Sequence, residues 1–85
     1  MPYFLAELYL PTTGPGAAEA AARARAGAEE FARGGHALRV LRVIFVPGDE
    51  TCFVAYEAPS AETVAEAGRR AGLDFDRIVP AVETG

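Results

Sequence analysis

Apolar runs and helix-favouring stretches alternate along the 85-residue chain. β-Branched and aromatic residues predict four strands, over residues 2–10, 37–46, 51–58 and 76–83. The alanine-rich residues 17–33 predict a long helix, and the stretch between Ser60 and Gly72 predicts a shorter one. The predicted order is therefore strand, helix, strand, strand, helix, strand.

Residues that start or stop regular structure lie at the boundaries of these elements. Gly34 and Gly35 follow the first helix, where glycine supplies the left-handed conformation that a helix end needs. Ser60 has the position of an N-cap for the second helix. PGDE at residues 47–50 predicts a hairpin turn, and TTGPG at residues 12–16 predicts a loop.

Two strand–helix–strand units joined by a hairpin predict a ferredoxin-like α+β fold. Its single four-stranded antiparallel sheet has both helices on one face. The first and third strands are central in this layout, and the second and fourth lie at the edges. Pro80 agrees with an edge position for the fourth strand, because proline cannot donate to a ladder. We expect residues 1–85 to form one domain.

Both alternating sets of side chains on the predicted strands are largely apolar. The first strand alternates Phe4, Ala6, Leu8 and Leu10 with Tyr3, Leu5, Glu7 and Tyr9; the second alternates Val40, Ile44 and Val46 with Leu41, Val43 and Phe45; the third alternates Cys52, Val54 and Tyr56 with Phe53, Ala55 and Glu57. The open face of a two-layer sheet normally alternates apolar with polar residues, and a large apolar patch usually marks an interface. The pattern therefore predicts a homodimer that pairs sheet to sheet.

Two arginines interrupt the second strand. Arg39 and Arg42 are three positions apart, which under strict alternation points them to opposite faces of the sheet. On an edge strand, each can lay its aliphatic stem along the sheet and keep its charged head in water. We therefore expect the two side chains to lie apart.

Net charge and composition limit the kinds of partner that we expect and the cellular compartment that we predict. The net charge is −4, and all eight basic residues are arginines scattered among twelve acidic residues. Nucleic-acid binding requires a clustered positive surface instead. The single cysteine, Cys52, cannot form an intrachain disulfide, which favours a reducing cytoplasm. No stretch is long and apolar enough to span a membrane. We predict a cytoplasmic protein that binds neither nucleic acid nor membrane.

Three residues are candidate catalytic groups. Glu7 and Glu57 lie on neighbouring central strands among apolar side chains, an environment that suits a general acid or base. The alternative is that each pairs with an arginine or lies at a wet end of the sheet. Histidine as a residue type changes charge near neutral pH, so His36 is a candidate proton carrier, with a surface or capping role as the alternative.

Four residues are candidate ligand-binding groups. Tyr3, Tyr9 and Tyr56 can orient a ligand by hydrogen bonds while their rings form an apolar wall, and the alternative for each is ordinary packing. Arg39 is the fourth candidate. A nucleophilic Cys52 would need a neighbouring base and a positively charged environment. Nothing near Cys52 in the sequence ensures either, so we expect this residue to have a packing role.

The stretches MPYFLAEL, YEAPSAETV and RRAGLDFDRI resemble a family of small bacterial domains of unknown function, whose described member is an actinobacterial nickel-binding protein. The resemblance is good from Thr51 to Glu83, fair over residues 1–10 and negligible in the first helix. It implies a ferredoxin-like fold related to the dimeric α/β-barrel proteins. It also implies nickel as a candidate ligand.

The chain departs from that family at the residues that carry its metal chemistry. Family members typically have a histidine two residues before the paired arginines of the second helix, where this chain has Ala67. The first strand, AELYLP, has none of the metal-binding member's histidines, and His36 is the only histidine. We therefore predict no metal site and no cofactor. The predicted function is a homodimer that binds a small-molecule ligand, as a carrier or a cofactor-free acid/base catalyst of bacterial secondary metabolism, with nickel binding as the alternative.

Overall fold

The computed structural model describes residues 1–13 and 16–84, so part of the predicted loop at 12–16 and the last residue of the predicted domain lie outside the described residues. Within them, the elements are β1 Tyr3–Tyr9, α1 Ala17–Arg33, β2 Arg39–Val46, β3 Thr51–Glu57, α2 Ala61–Arg70 and β4 Arg77–Ala81. The strands form one antiparallel sheet in the order β2-β3-β1-β4. This is the predicted ferredoxin-like arrangement, with β1 and β3 in the centre.

The first helix has the predicted bounds and packs through small side chains. Its buried residues are Ala20, Ala24, Gly27, Ala28 and Phe31. A Cβ atom at Gly27 would lie 2.7 Å from the Cβ of Ala71, just beyond the end of α2. Because real Cβ atoms do not approach so closely, the absence of a side chain at Gly27 permits the contact between the two helices.

The second helix begins and ends as its sequence predicts. The hydroxyl of Ser60 accepts a hydrogen bond of 3.2 Å from the backbone N–H of Thr63, which makes Ser60 the N-cap. Gly72 follows the last turn with φ +73°, a left-handed conformation that favours glycine. Gly68 leaves space for the ring of Phe75, which packs directly over it. None of the helices in the described residues is long and apolar enough to cross a membrane.

The sheet has two unlike faces. The covered face packs against both helices through buried residues that include Phe4, Ala6, Cys52, Val54 and Tyr56. We call the other side the open face; it carries Tyr3, Leu5, Glu7 and Tyr9 of β1, Arg39, Arg42, Ile44 and Val46 of β2, Thr51, Phe53, Ala55 and Glu57 of β3, and Arg77, Val79 and Ala81 of β4. No charged side chain is buried among the residues that the structure describes.

A β-bulge interrupts the second strand. Val40 opposes Tyr56, but Leu41 and Arg42 together stand against the single residue Ala55. A bulge adds one unpaired residue to a strand, and the alternation of side chains changes phase beyond it. The rest of β2 therefore presents its side chains in the opposite sense to the one that strict alternation predicts.

The bulge corrects the prediction for the two arginines. Arg39 opposes Glu57 and Arg42 opposes Ala55. Glu57 and Ala55 are two residues apart on β3 and so share a face. Both arginines therefore lie on the open face, and the prediction that they point to opposite faces was wrong.

The predicted grouping of apolar residues in β2 was wrong for the same reason. Val40, Val43 and Phe45 pack against the core of the covered face. Ile44 and Val46 oppose Phe53 and Thr51 and lie on the open face. The extra residue thus separates Val40 from the two residues with which strict alternation grouped it.

Candidate functional site

The open face exposes large apolar side chains. Tyr9 is 62% exposed and Ile44 is 49% exposed. At the rim of this face, Met1 precedes β1 with 57% exposure and Val82 follows β4 with 84% exposure. Phe53, in the middle of β3, is half-buried. Apolar side chains are more stable when they are buried than when they remain in water. This face is therefore the leading candidate for binding.

An ion pair lies at one end of the open face. Arg39 and Glu57 are directly opposed on β2 and β3, and the Nε of Arg39 donates a hydrogen bond of 2.7 Å to the Oε1 of Glu57. The N-terminal amine of Met1 lies 4.0 Å from the other carboxylate oxygen. The Glu57 side chain is only 17% exposed, so water screens this contact less than it would screen a fully exposed ion pair.

A second ion pair lies toward the other end. Glu7 and Arg77 are opposed on β1 and β4, with 3.5 Å between the Oε2 of Glu7 and the Nη1 of Arg77. Both side chains are more exposed to water than that of Glu57. An exposed pair of this kind adds little to stability, because water screens it.

The two candidate carboxylates share a face but do not form one site. Glu57 opposes Tyr3 and Glu7 opposes Phe53, which places them four residues apart along the paired strands. At the rise of an antiparallel strand, that separation is about 13 Å. Each carboxylate has an arginine partner, which is the alternative that the sequence left open.

A groove of about 590 Å³ crosses the sheet at the end that carries Tyr3 and Arg39. β2 lines one side of the groove, and the chain beyond β4 lines the other. Its lining residues are Tyr3, Phe4, Arg39, Leu41, Arg42, Ala55, Ala81, Val82, Glu83 and Thr84. Two of the predicted ligand-binding residues, Tyr3 and Arg39, therefore meet in one cleft.

The other two tyrosines lie away from this groove. Tyr56 is 1% exposed on the covered face, where it contacts the edge of the Phe75 ring at 6.0 Å between centroids. Burial raises the pKa of the Tyr56 hydroxyl far above its ordinary value. Tyr9 is on the open face but at the opposite end of β1, where its backbone N–H donates a 2.7 Å hydrogen bond to Asp76.

His36 lies near the end of α1, outside the open face. Its ring stacks on Phe31 with 4.2 Å between centroids and 11° between planes. The guanidinium of Arg70 lies 5.3 Å from the centroid of the same Phe31 ring. The three candidate catalytic residues, Glu7, Glu57 and His36, therefore occupy three separate places.

The side chains that could bind a metal ion are likewise not grouped within the described residues. Among residues 1–13 and 16–84, no three His, Cys, Asp or Glu side chains are grouped so that they could hold a metal ion. Cys52 is buried in the core, and burial raises the pKa of its thiol. Nickel binding stays a prediction of the resemblance alone.

Sequence reasoning missed Arg42 and the wall formed by residues 82–84. The prediction placed Arg42 and Arg39 on opposite faces because it assumed strict alternation along β2. The bulge becomes apparent only when β2 is paired with β3. The sequence did contain one indication. The two arginines of RVLRVIFV are three positions apart in an otherwise apolar strand, and a bulge between them would bring both to the same face.

Comparison with known proteins identifies a structural neighbour. No family model and no curated protein matches the sequence. The crystal structure of SCO4226 from Streptomyces coelicolor A3(2) matches with a TM-score of 0.72, over 98% of this chain and 99% of that chain, at 18% sequence identity. The chain therefore has the fold of a small bacterial domain of nearly equal length, and at this identity the likeness extends to the fold alone.

Proposed function

We propose that the protein binds a small molecule in the groove on the open face, and that a second copy of the chain covers this face. The ligand would then lie between two sheets. The observation that carries the proposal is a groove of about 590 Å³ on the sheet face opposite α1 and α2. Pockets for small molecules typically have volumes of about 300–1,000 Å³.

The residues of the groove support small-molecule binding. Tyr3, Leu41 and Ala55 offer apolar surface, whereas Arg39 and Arg42 offer hydrogen-bond donors. Binding sites combine apolar walls with a few polar groups that fix the orientation of the ligand. The groove has both kinds of group within one cleft.

The apolar residues beyond the groove support a second copy as the cover. Ile44 and Phe53 oppose each other in the middle of the open face, and Leu5 lies on the adjacent strand. Burying each large side chain contributes about 1.5–3 kcal/mol. The face is also self-complementary in charge, since it carries both acids and arginines, so two copies can meet without a net like-charge contact.

We infer binding, rather than proton transfer, as the function of the groove. Glu57 is the candidate carboxylate nearest to the groove, which it reaches through its contact with Arg39. Proton transfer by Glu57 would require the hydrogen bond of 2.7 Å to Arg39 to open. Binding requires no such rearrangement.

The test uses N-phenyl-1-naphthylamine, an uncharged dye that fluoresces when it enters an apolar site. We expect saturable binding to the wild-type protein and at least about tenfold weaker binding to Ala55→Phe, which fills the groove floor without entering the core. Ala22→Phe adds a ring on the exposed side of α1, away from the open face, and should keep the wild-type affinity. Absence of dye binding to the wild type, or equal binding to Ala55→Phe, would overturn the proposal.

A further inference from the structure

We infer that the groove accepts a small organic anion, a carboxylate or similar group carried on an apolar ring, with Arg39 and Arg42 as the residues that bind its charge. This inference rests on the proposed function, because it names the class of ligand for the same groove. It depends on three features: the bulge in β2, the hydrogen bond that orients Arg39, and the fact that Arg42 has no carboxylate partner within residues 1–13 and 16–84.

The bulge brings two guanidinium groups to one wall. Without it, residues 39 and 42 would lie on opposite faces, but Leu41 and Arg42 both stand against Ala55. Arg39 and Arg42 therefore line the same groove. Bulges commonly re-aim side chains next to functional sites, and here the result is a pair of positive charges at one end of an acidic protein.

Glu57 fixes the orientation of Arg39. The Nε–H of Arg39 donates a hydrogen bond of 2.7 Å to the carboxylate of Glu57. The two Nη groups make no hydrogen bond within the described residues. A guanidinium presents its donors in a planar fork that matches the two oxygens of a carboxylate. Arg39 is thus held in place on one side and has donors for a ligand on the other.

Arg42 differs from the other arginines of the open face in its surroundings within the part of the chain that the structure describes. Among residues 1–13 and 16–84, no acidic oxygen lies within 4.0 Å of its guanidinium, whereas Arg39 and Arg77 on the same face are both paired. A bound anion would supply the missing partner. Its hydrogen bonds to Arg42 would be charge-assisted and so stronger than those of a neutral ligand.

The opposite wall determines which way the ligand lies. Glu83 lines the groove across from β2. Its carboxylate repels an anion, so the charged end of the ligand lies against Arg39 and Arg42. The apolar end then contacts the ring of Tyr3 and the methyl group of Ala55, which lie between the two walls.

The test compares two dyes that differ in one charged group. 1-Anilinonaphthalene-8-sulfonate carries a sulfonate, and N-phenyl-1-naphthylamine has the same ring system without it. We expect Arg42→Gln to weaken binding of the sulfonate dye about tenfold and to change binding of the neutral dye less than about twofold. Arg33→Gln, an equal change of charge on an exposed position of α1, should change neither.

Glu83→Gln provides a test in the opposite direction. Removing its negative charge should strengthen binding of the sulfonate dye, about twofold to fivefold at low salt, and leave the neutral dye unchanged. Equal loss of both dyes in Arg42→Gln, or no loss of the sulfonate dye, would overturn the anion site. Binding of the neutral dye that Ala55→Phe abolishes would then preserve the proposed groove, whereas failure of the wild type to bind either dye would overturn both.

Discussion

The covered and open faces of the sheet use the same four strands in different ways. On the covered face, Ala6 of β1 and Ala24 of α1 are almost completely buried, and the small residues let the helices lie close to the sheet. On the open face, Ile44 and Phe53 share the surface with charged residues such as Glu57. The covered face packs against α1 and α2, whereas the open face is the one that we propose a ligand and a second copy cover.

This difference separates stability from binding. Residues on the covered face contribute mainly to the free energy of unfolding, because their contacts lie within one chain. Residues on the open face contribute mainly to the proposed contacts with a ligand and a second copy. Substitutions of the same type on opposite faces therefore test whether the two faces differ in this way.

The largest expected effect comes from removing a phenylalanine from the covered face. Phe4→Ala should lower the free energy of unfolding by about 3–5 kcal/mol, because it leaves a cavity in the core. Phe53→Ala, on the neighbouring central strand but on the open face, should lower it by about 1 kcal/mol at the lowest protein concentration measured. Urea denaturation followed by circular dichroism measures both. Equal losses at every protein concentration would contradict the difference between the faces.

A charge in the middle of the open face should separate the proposed dimer. Ile44→Glu places an unpaired carboxylate where two apolar surfaces would meet, and a buried charge without a partner costs several kcal/mol. We expect the wild type to sediment as a dimer of the 8.9 kDa chain and Ile44→Glu as a monomer that keeps its fold.

Ala22→Glu, on the exposed side of α1, controls for added charge and should remain dimeric. A wild-type protein that is monomeric at tens of micromolar would contradict a second copy as the cover. Sedimentation velocity distinguishes these outcomes.

The smallest expected effect concerns Glu66 on α2. Hydrogen bonds from Arg69 and then Arg70 hold the pKa of Glu66 below its ordinary value of 4.5. A lowered pKa in the folded state means that the stabilisation is present above pH 4.5 and is lost as the pH falls through the folded pKa. Wild type should therefore exceed Glu66→Gln slightly in stability near pH 7, and the difference should vanish at low pH.

Glu29→Gln is the matched control for this pH dependence. Glu29 is exposed on α1, and within the described residues no arginine lies within 4.0 Å of its carboxylate. Its substitution should change the stability at pH 7 less than Glu66→Gln does. A Glu66→Gln protein that loses no stability relative to wild type at neutral pH would contradict the contribution of the two arginines. Thermal melts from pH 7 to pH 3 supply the data.

The fold could be predicted because its signals are local. Ser60 caps α2, Gly72 ends it, and Pro80 fits an edge strand, so each boundary depends on one or two residues near it in sequence. The helix over residues 17–33 was predicted with its observed bounds, because helix propensity accumulates over a long alanine-rich stretch.

The site was harder to predict because it depends on pairing between strands. Glu7 and Glu57 were placed on adjacent strands, but their separation follows from a register that the sequence of either strand does not contain. The bulge beside Arg42 likewise depends on β3. Tyr56 was named with Tyr3 as a candidate ligand-binding residue, but it is buried on the covered face. Because both faces of the sheet are largely apolar, composition did not indicate which face the helices would cover.

The most direct test of the central claim is a map of where a ligand touches the protein. Backbone amide NMR shifts of ¹⁵N-labelled protein, titrated with 1-anilinonaphthalene-8-sulfonate, report this residue by residue. We predict saturable shifts at Tyr3, Arg42 and Ala55 in the groove, with the amides of Ala24 and Val64 in the two helices unchanged. Shifts concentrated in the helices, or spread over the protein without saturation, would contradict the open face as the binding surface.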